Sequence, residues 1–370
     1  MLFLCAFLGA AVWMSRVTIS SVSPAIKVEF NLKYAQLGLP PTTALAFAAV
    51  GYGVSGFLTH RYGARRVLLI SVFVMLVGAI GTSISTNLVS LAAFQGLAGL
   101  SEGLFYVDAL VILTSTFQPA TIGRSFGILE SAINVGILIS FLSGAAITST
   151  FGWRAAYQLL TLLAVASLIL IVFSFKEPVR DHQQTDLRAL LRDRYVATLF
   201  IPITMMFFAF WSFWAFVPTY LTDVLHTPLT VSGAISSAAF LLAIFAALAG
   251  GLLADRQGPK RASIAITAFY MVSLVIFAGT NDLSVSVLSL LIVTFAQASL
   301  VPVILSFVPK RFPQAELGRA YGIIISVAYA AGAIGPALVG GVADNFGFAS
   351  AFLILAAIIG LTGLVLIGKL

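Results

Sequence analysis

Charge is what this chain has least of. Only 9% of its 370 residues are Asp, Glu, Lys or Arg, against about 25% in an ordinary soluble domain. That excludes a protein covered by a water-facing surface. A single cysteine, Cys5, lies inside an apolar run, which excludes a disulfide framework and a Cys-rich metal site. The histidines, His60, His182 and His226, are scattered and make no ligand pattern. No metal or cofactor is therefore expected. An enzyme is not expected either, because no nucleophile–base pair or nucleotide-binding loop stands among the polar positions. What the chain does have is apolar length: 60% hydrophobic residues and a mean hydropathy of +1.07. Its length is better divided by the roughly 20 residues that cross a bilayer than by the size of a soluble domain.

The chain is also written twice, at an offset of 195 residues. GFLTHRYGARR at 56–66 returns as GLLADRQGPKR at 251–261, GRSFG at 123–127 as GRAYG at 318–322, and FGW at 151–153 as FGF at 346–348. Three matches in one register make each half the same folded unit. A duplicated apolar unit is the layout of a carrier that rocks one half against the other around a central site.

Apolar runs bounded by charge, Pro or Gly predict an all-α membrane protein of twelve transmembrane helices in two six-helix bundles. The expected units are 1–175, a linker at 176–194, and 195–370. The linker KEPVRDHQQTDLRALLRDR is the one long polar stretch, and its second part suits a short helix on the membrane surface. Alternate loops at 60–66, 118–124, 176–194, 255–261 and 310–319 hold 15 of the 20 Lys and Arg residues. The net charge of +7 is thus a topology signal, not a nucleic-acid stripe. It predicts a multi-pass protein of the cell membrane, with the basic loops and both termini in the cytoplasm.

At 251–261, Gly-x-x-x-Asp-Arg-x-Gly-x-Lys-Arg closes one span and opens the next. Gly251 suits close helix approach and Gly258 a tight turn, while Asp255, Arg256, Lys260 and Arg261 anchor the loop. The first copy keeps Gly56, Arg61, Gly63, Arg65 and Arg66 but has His60 in place of Asp255. The pattern resembles the signature loop of the major facilitator superfamily, in both halves. The resemblance implies that Arg61, Asp255 and Arg256 help to gate the protein by pinning the halves together.

Four charges fall inside spans, where each costs about 2.5–3.5 kcal/mol on insertion scales. Arg16 shares a helix face with Trp13, Ser20 and Ser23; its planar fork suits a carboxylate or phosphate, or an ion pair with a buried acid. Glu102 shares a face with Gln95, Gly99 and Tyr106, and a carboxylate out of water suits the uptake and release of a proton. Asp108 lies about 240° round the same helix and is expected to bond a neighbouring helix. Glu130, one turn past GRSFG, is expected to pair with Arg124 or Arg61 in the gate.

SRVTISSVSPAIKVEFNL in helix one and GLSEGLF in helix four resemble the anion:cation symporter branch of sialin-like, hexuronate and galactonate carriers. That resemblance implies that Arg16 recognises an anionic substrate and that Glu102 couples it to protons; sodium is the alternative coupling ion. Ser15 stands where the branch has an acid, and Gln95 where it has an Arg. These departures leave Arg16 as the one buried cation.

The offset carries Arg16 to Trp211, Glu102 to Gln297 and Asn134 to Tyr329. The second half thus offers rings and an amide where the first offers charges. The expected substrate site is Arg16, Trp13, Ser20, Asn134, Trp211, Trp214, Gln297 and Tyr329. The expected function is carriage of a small organic anion with protons, by a monomer in the lipid bilayer. The alternative is a proton-driven exporter of drugs or metabolites. Exporters of the superfamily carry Gly-Pro in helix five, whereas here GAIGPALVGG falls in helix eleven, at 332–341.

Overall fold

In lipid no water is present to bond an open backbone, so long apolar runs must satisfy their own N–H and C=O groups as helices. The computed structural model describes residues 1–175, 194–305 and 317–369. The first half runs α1 (Leu2–Phe30), the short α2 (Tyr34–Leu37), α3 (Leu39–Tyr62), α4 (Ala64–Ser83), α5 (Leu88–Thr116), α6 (Pro119–Phe151) and α7 (Trp153–Ser174). The second runs α8 (Arg194–Asp223), α9 (Leu229–Gln257), α10 (Pro259–Gly279), α11 (Leu283–Leu305), α12 (Leu317–Gly332) and α13 (Gly335–Lys369). Among the described residues 11 apolar stretches are long enough to cross a membrane. The last, of 44 residues over Ile323–Leu366, breaks at Gly347 (φ 79°), and the break makes twelve passes. The expected linker falls outside the described residues except for Arg194, which opens α8.

The repeat is legible in the backbone. Gly63 and Gly258, with φ of 89° and 81°, stand 195 residues apart, as do Gly152 and Gly347, with φ of 82° and 79°. Each ends one helix and starts the next in a conformation that L side chains rarely adopt. Within the first half, α3 and α5 approach most closely at Gly99 and Gly103. A Cβ on Gly103 would meet the backbone N of Tyr52 at 2.6 Å, and one on Gly99 would strike the carbonyl of Ala44. In the second half the close approach falls to Gly250, against the backbone of Ser299, and not to Gly251, whose Cβ would meet nothing within 4 Å. One step along a helix turns a residue by 100° and takes Gly251 off that contact.

The halves meet around a pseudo-two-fold axis, beside which α1 and α8 lie, so that residues at repeat-equivalent positions, or one step from them, touch. The Arg16 guanidinium packs on the Trp211 ring, Ser23 and Thr219 hydroxyls bond at 2.8 Å, and Lys27 Nζ reaches Asp223 at 2.5 Å. Flanking them, Ser237 donates to the Leu138 carbonyl and Ser326 to that of Ala49, each at 2.9 Å. One end is clamped further: Tyr34 OH donates to Asp223 at 3.1 Å, and the Asp344 carboxylate accepts the Tyr34 and Ala35 backbone N–H groups at 2.8 Å each. At the other end lie the basic loops, where Arg61, Arg124, Asp255 and Arg256 are exposed. Glu130 is exposed on this side too, and its partner Tyr106 leads inward to Trp13 and Tyr52. Among the described residues, the polar side-chain contacts between the halves run from the middle of the molecule to the end held by Lys27, Asp223 and Asp344.

Candidate substrate and coupling site

Arg16 on α1 is 4% exposed and Glu102 on α5 is fully buried; the two side chains form an ion pair through Arg16 Nε. Breaking such a buried pair by removing one partner costs about 3–5 kcal/mol, so each is the reason the other is tolerated. One hydroxyl steadies the carboxylate: Tyr52 OH donates to Glu102 Oε1 at 3.0 Å, and the Tyr52 ring packs on Tyr329 of the opposite half, 4.8 Å between centroids. Trp211 covers the guanidinium, its ring centroid 3.7 Å from Arg16 Cζ, which adds a cation–π contact. The ion pair belongs to the first half and its covers, Tyr329 and Trp211, to the second.

Arg16 Nη2 and Trp211 Nε1 are buried and without a hydrogen-bond partner among the described residues. Both are donors, and orphaned buried donors are costly until an acceptor arrives. Beside them is a narrow pocket lined by Arg16, Ser20, Leu45, Phe141, Trp214 and Phe240, with a free volume of about 10 Å³. That is room for about one water.

The expected residues divide. Arg16, Ser20, Trp211 and Trp214 line the pocket, and Tyr329 packs on Tyr52 and lies 5.9 Å from Trp211 between ring centroids. Trp13 packs on Phe105 and Tyr106 within the first half. Gln297 is engaged inside its own bundle: Trp214 Nε1 donates to it at 3.0 Å, and its amide donates to Tyr270 OH. Asn134 turns back on its own helix, donating to the Glu130 carbonyl at 2.9 Å. Glu130 accepts from Tyr106 OH at 2.6 Å, where Arg124 or Arg61 was expected; Arg61 lies over the ring of its neighbour Tyr62. Gln95 donates to Thr82 at 3.2 Å and Tyr157 at 2.9 Å, so it faces α4 and α7 and not the Glu102 cleft. Asp108 bonds a neighbouring helix as expected, accepting from Thr59 at 2.8 Å.

Tyr52 was missed, as were the ring pair Phe141 and Phe240 and the Lys27–Asp223 clamp. A signal for Tyr52 existed. Tyr52, Ser55 and Thr59 form a polar stripe at helical spacing on α3, and they bond Glu102, the Leu104 carbonyl and Asp108 on successive turns of α5.

Twelve apolar passes in two equivalent halves, meeting over one buried ion pair, define a multi-pass membrane transporter and not an enzyme. The family model described as Major Facilitator Superfamily matches residues 2–295 and again 199–369, and the chain belongs to that superfamily. It is 25% identical over 356 residues to the nitrite extrusion protein of Bacillus subtilis (strain 168), covering 95% of this chain and 88% of that one. With the cis,cis-muconate transport protein of Acinetobacter baylyi (strain ATCC 33305 / BD413 / ADP1) it shares 23% over 376 residues, 96% of this chain and 90% of that one. The solved structure of a D-xylose-proton symporter has the same fold, with a TM-score of 0.84 at 16% identity over 99% of this chain and 96% of that one.

Proposed function

We propose that this protein is a secondary active transporter that carries a small organic anion by alternating access, coupled to protons. The observation that carries the reading is the Arg16–Glu102 pair, held by one half and covered by the other. An incoming carboxylate takes the guanidinium, whose Nη2 is without a partner, and Glu102 gives up its cation. Glu102 then takes a proton, since an ionised carboxylate without a counter-charge is strongly disfavoured at this depth. Anion and proton thus enter together. After the halves rock, the anion leaves, Arg16 returns to Glu102, and the proton is driven off. The basic loops are cytoplasmic on this reading, together with both termini, and the state described is open inward with its outer face clamped by Lys27, Asp223 and Asp344. Relatives named for nitrite and muconate support an anionic cargo.

The test is transport in proteoliposomes under an imposed pH gradient, with labelled carboxylates and a pH dye. A carboxylate that brings protons in with it, and is concentrated by an acid exterior, is the expected result. Accumulation driven by sodium alone, or none with any anion, would overturn the reading.

A further inference from the structure

We infer that the site takes a monocarboxylate with an apolar, ring-like body, in preference to a sugar acid, a dicarboxylate or a bare inorganic anion. The inference rests on the proposed function and specifies its cargo. The donors without partners, Arg16 Nη2 and Trp211 Nε1, can receive one anionic group. A sugar acid brings several hydroxyls, each of which must donate as well as accept. The acceptors near the pair are already receiving: Glu102 Oε1 from Tyr52 and Gln297 Oε1 from Trp214. The hydroxyls of Tyr52 and Tyr106 are committed to the two glutamates.

Apart from the single hydroxyl of Ser20, what remains around Arg16 in the pocket is mostly hydrocarbon. Phe141 and Phe240 stack at 5.5 Å between centroids with 17° between planes, and Trp214 lies 4.4 Å from Phe240. Leu45 closes the same pocket. A second carboxylate would be buried here with no cation facing it, and so would be rejected. An inorganic anion would satisfy Arg16 but leave the rings without the body whose burial drives binding.

The experiment measures binding to the purified full-length protein by quenching of tryptophan fluorescence, with benzoate, glucuronate, cis,cis-muconate and nitrite as probes. Benzoate is expected to bind tightest, on the order of 100-fold ahead of glucuronate. Arg16→Lys should weaken benzoate on the order of 10-fold or more. Phe240→Tyr puts a hydroxyl in the wall and should narrow the benzoate–glucuronate gap, with circular dichroism checking that the variant is folded. Glucuronate, muconate or nitrite binding as tightly as benzoate, and weakened by Arg16→Lys, would overturn the cargo class while leaving the anion site standing. Binding of none of the four, or binding indifferent to Arg16→Lys, would overturn the site itself.

Discussion

Glu102→Gln separates binding from coupling. On the proposed cycle Glu102, paired with Arg16 in the empty protein, competes with the anion for that cation, and each anion bound brings one proton to Glu102. One proton per anion makes affinity change about tenfold, or about 1.4 kcal/mol, per pH unit. The sign follows from the competition: binding tightens as pH falls, because protons remove the competitor. Between pH 6 and pH 8 the wild-type affinity should therefore fall by up to about 100-fold. A glutamine at 102 accepts from Tyr52 as before but carries no charge, so the variant's affinity should be flat over the same range. Its empty form leaves Arg16 buried without a counter-charge, a loss of about 3–5 kcal/mol that an added carboxylate should restore. Anion-induced gain in melting temperature should accordingly be larger in the variant than in the wild type. In proteoliposomes the variant should exchange internal for external anion yet fail to concentrate it under a pH gradient. If Glu102→Gln still accumulates anion under that gradient, coupling does not reside at Glu102, and the exposed Glu130 becomes the site to test.

Arg16→Lys should keep the fold and lose most anion transport, because a point charge cannot offer the planar fork; normal uptake would remove Arg16 from the substrate site. Lys27→Ala breaks a half-exposed bridge worth about 1 kcal/mol, and should shift the two open states by about fivefold, read as faster labelling of a cysteine placed at Ser23. Asp255→Ala should move the population toward the state described here, seen as greater labelling in the basic-loop vestibule; unchanged labelling on both faces would remove the loop latch. Gly103→Leu would force α5 off the Ala48–Tyr52 backbone of α3 and should abolish folded protein, whereas Gly251→Leu, in open space, should be tolerated.

The sequence made the architecture readable because lipid permits so few alternatives, and because duplication repeats the same turn glycines 195 residues apart. Arg16 and Glu102 were legible for the same reason: a charge in an apolar span has no bland surroundings in which to hide. The offset also found Trp211, since α1 and α8 meet at the axis and bring the equivalent positions Arg16 and Trp211 together. It misled at Gln297 and Asn134. Equivalence fixes a place on a helix, but the partners there depend on neighbours such as Trp214 and Tyr270 that the first half does not duplicate. Tyr52 was hidden because a tyrosine in an apolar helix looks like packing until the facing carboxylate is known. The Lys27–Asp223 clamp was hidden for a different reason: it joins two helix ends 196 residues apart, and each end by itself is an ordinary solvated charge.

The buried ion pair has an electrical consequence. Empty, the site holds one positive and one negative side chain and sums to zero. Loaded on the proposed cycle, it holds the guanidinium, a monovalent anion and an uncharged carboxylic acid, and again sums to zero. A transmembrane voltage performs about 2.3 kcal/mol of work per elementary charge per 100 mV, and here neither crossing offers it a charge to pull. Reorientation of this carrier would run at the same rate in a polarised membrane as in a depolarised one, leaving the pH difference as its sole motive force.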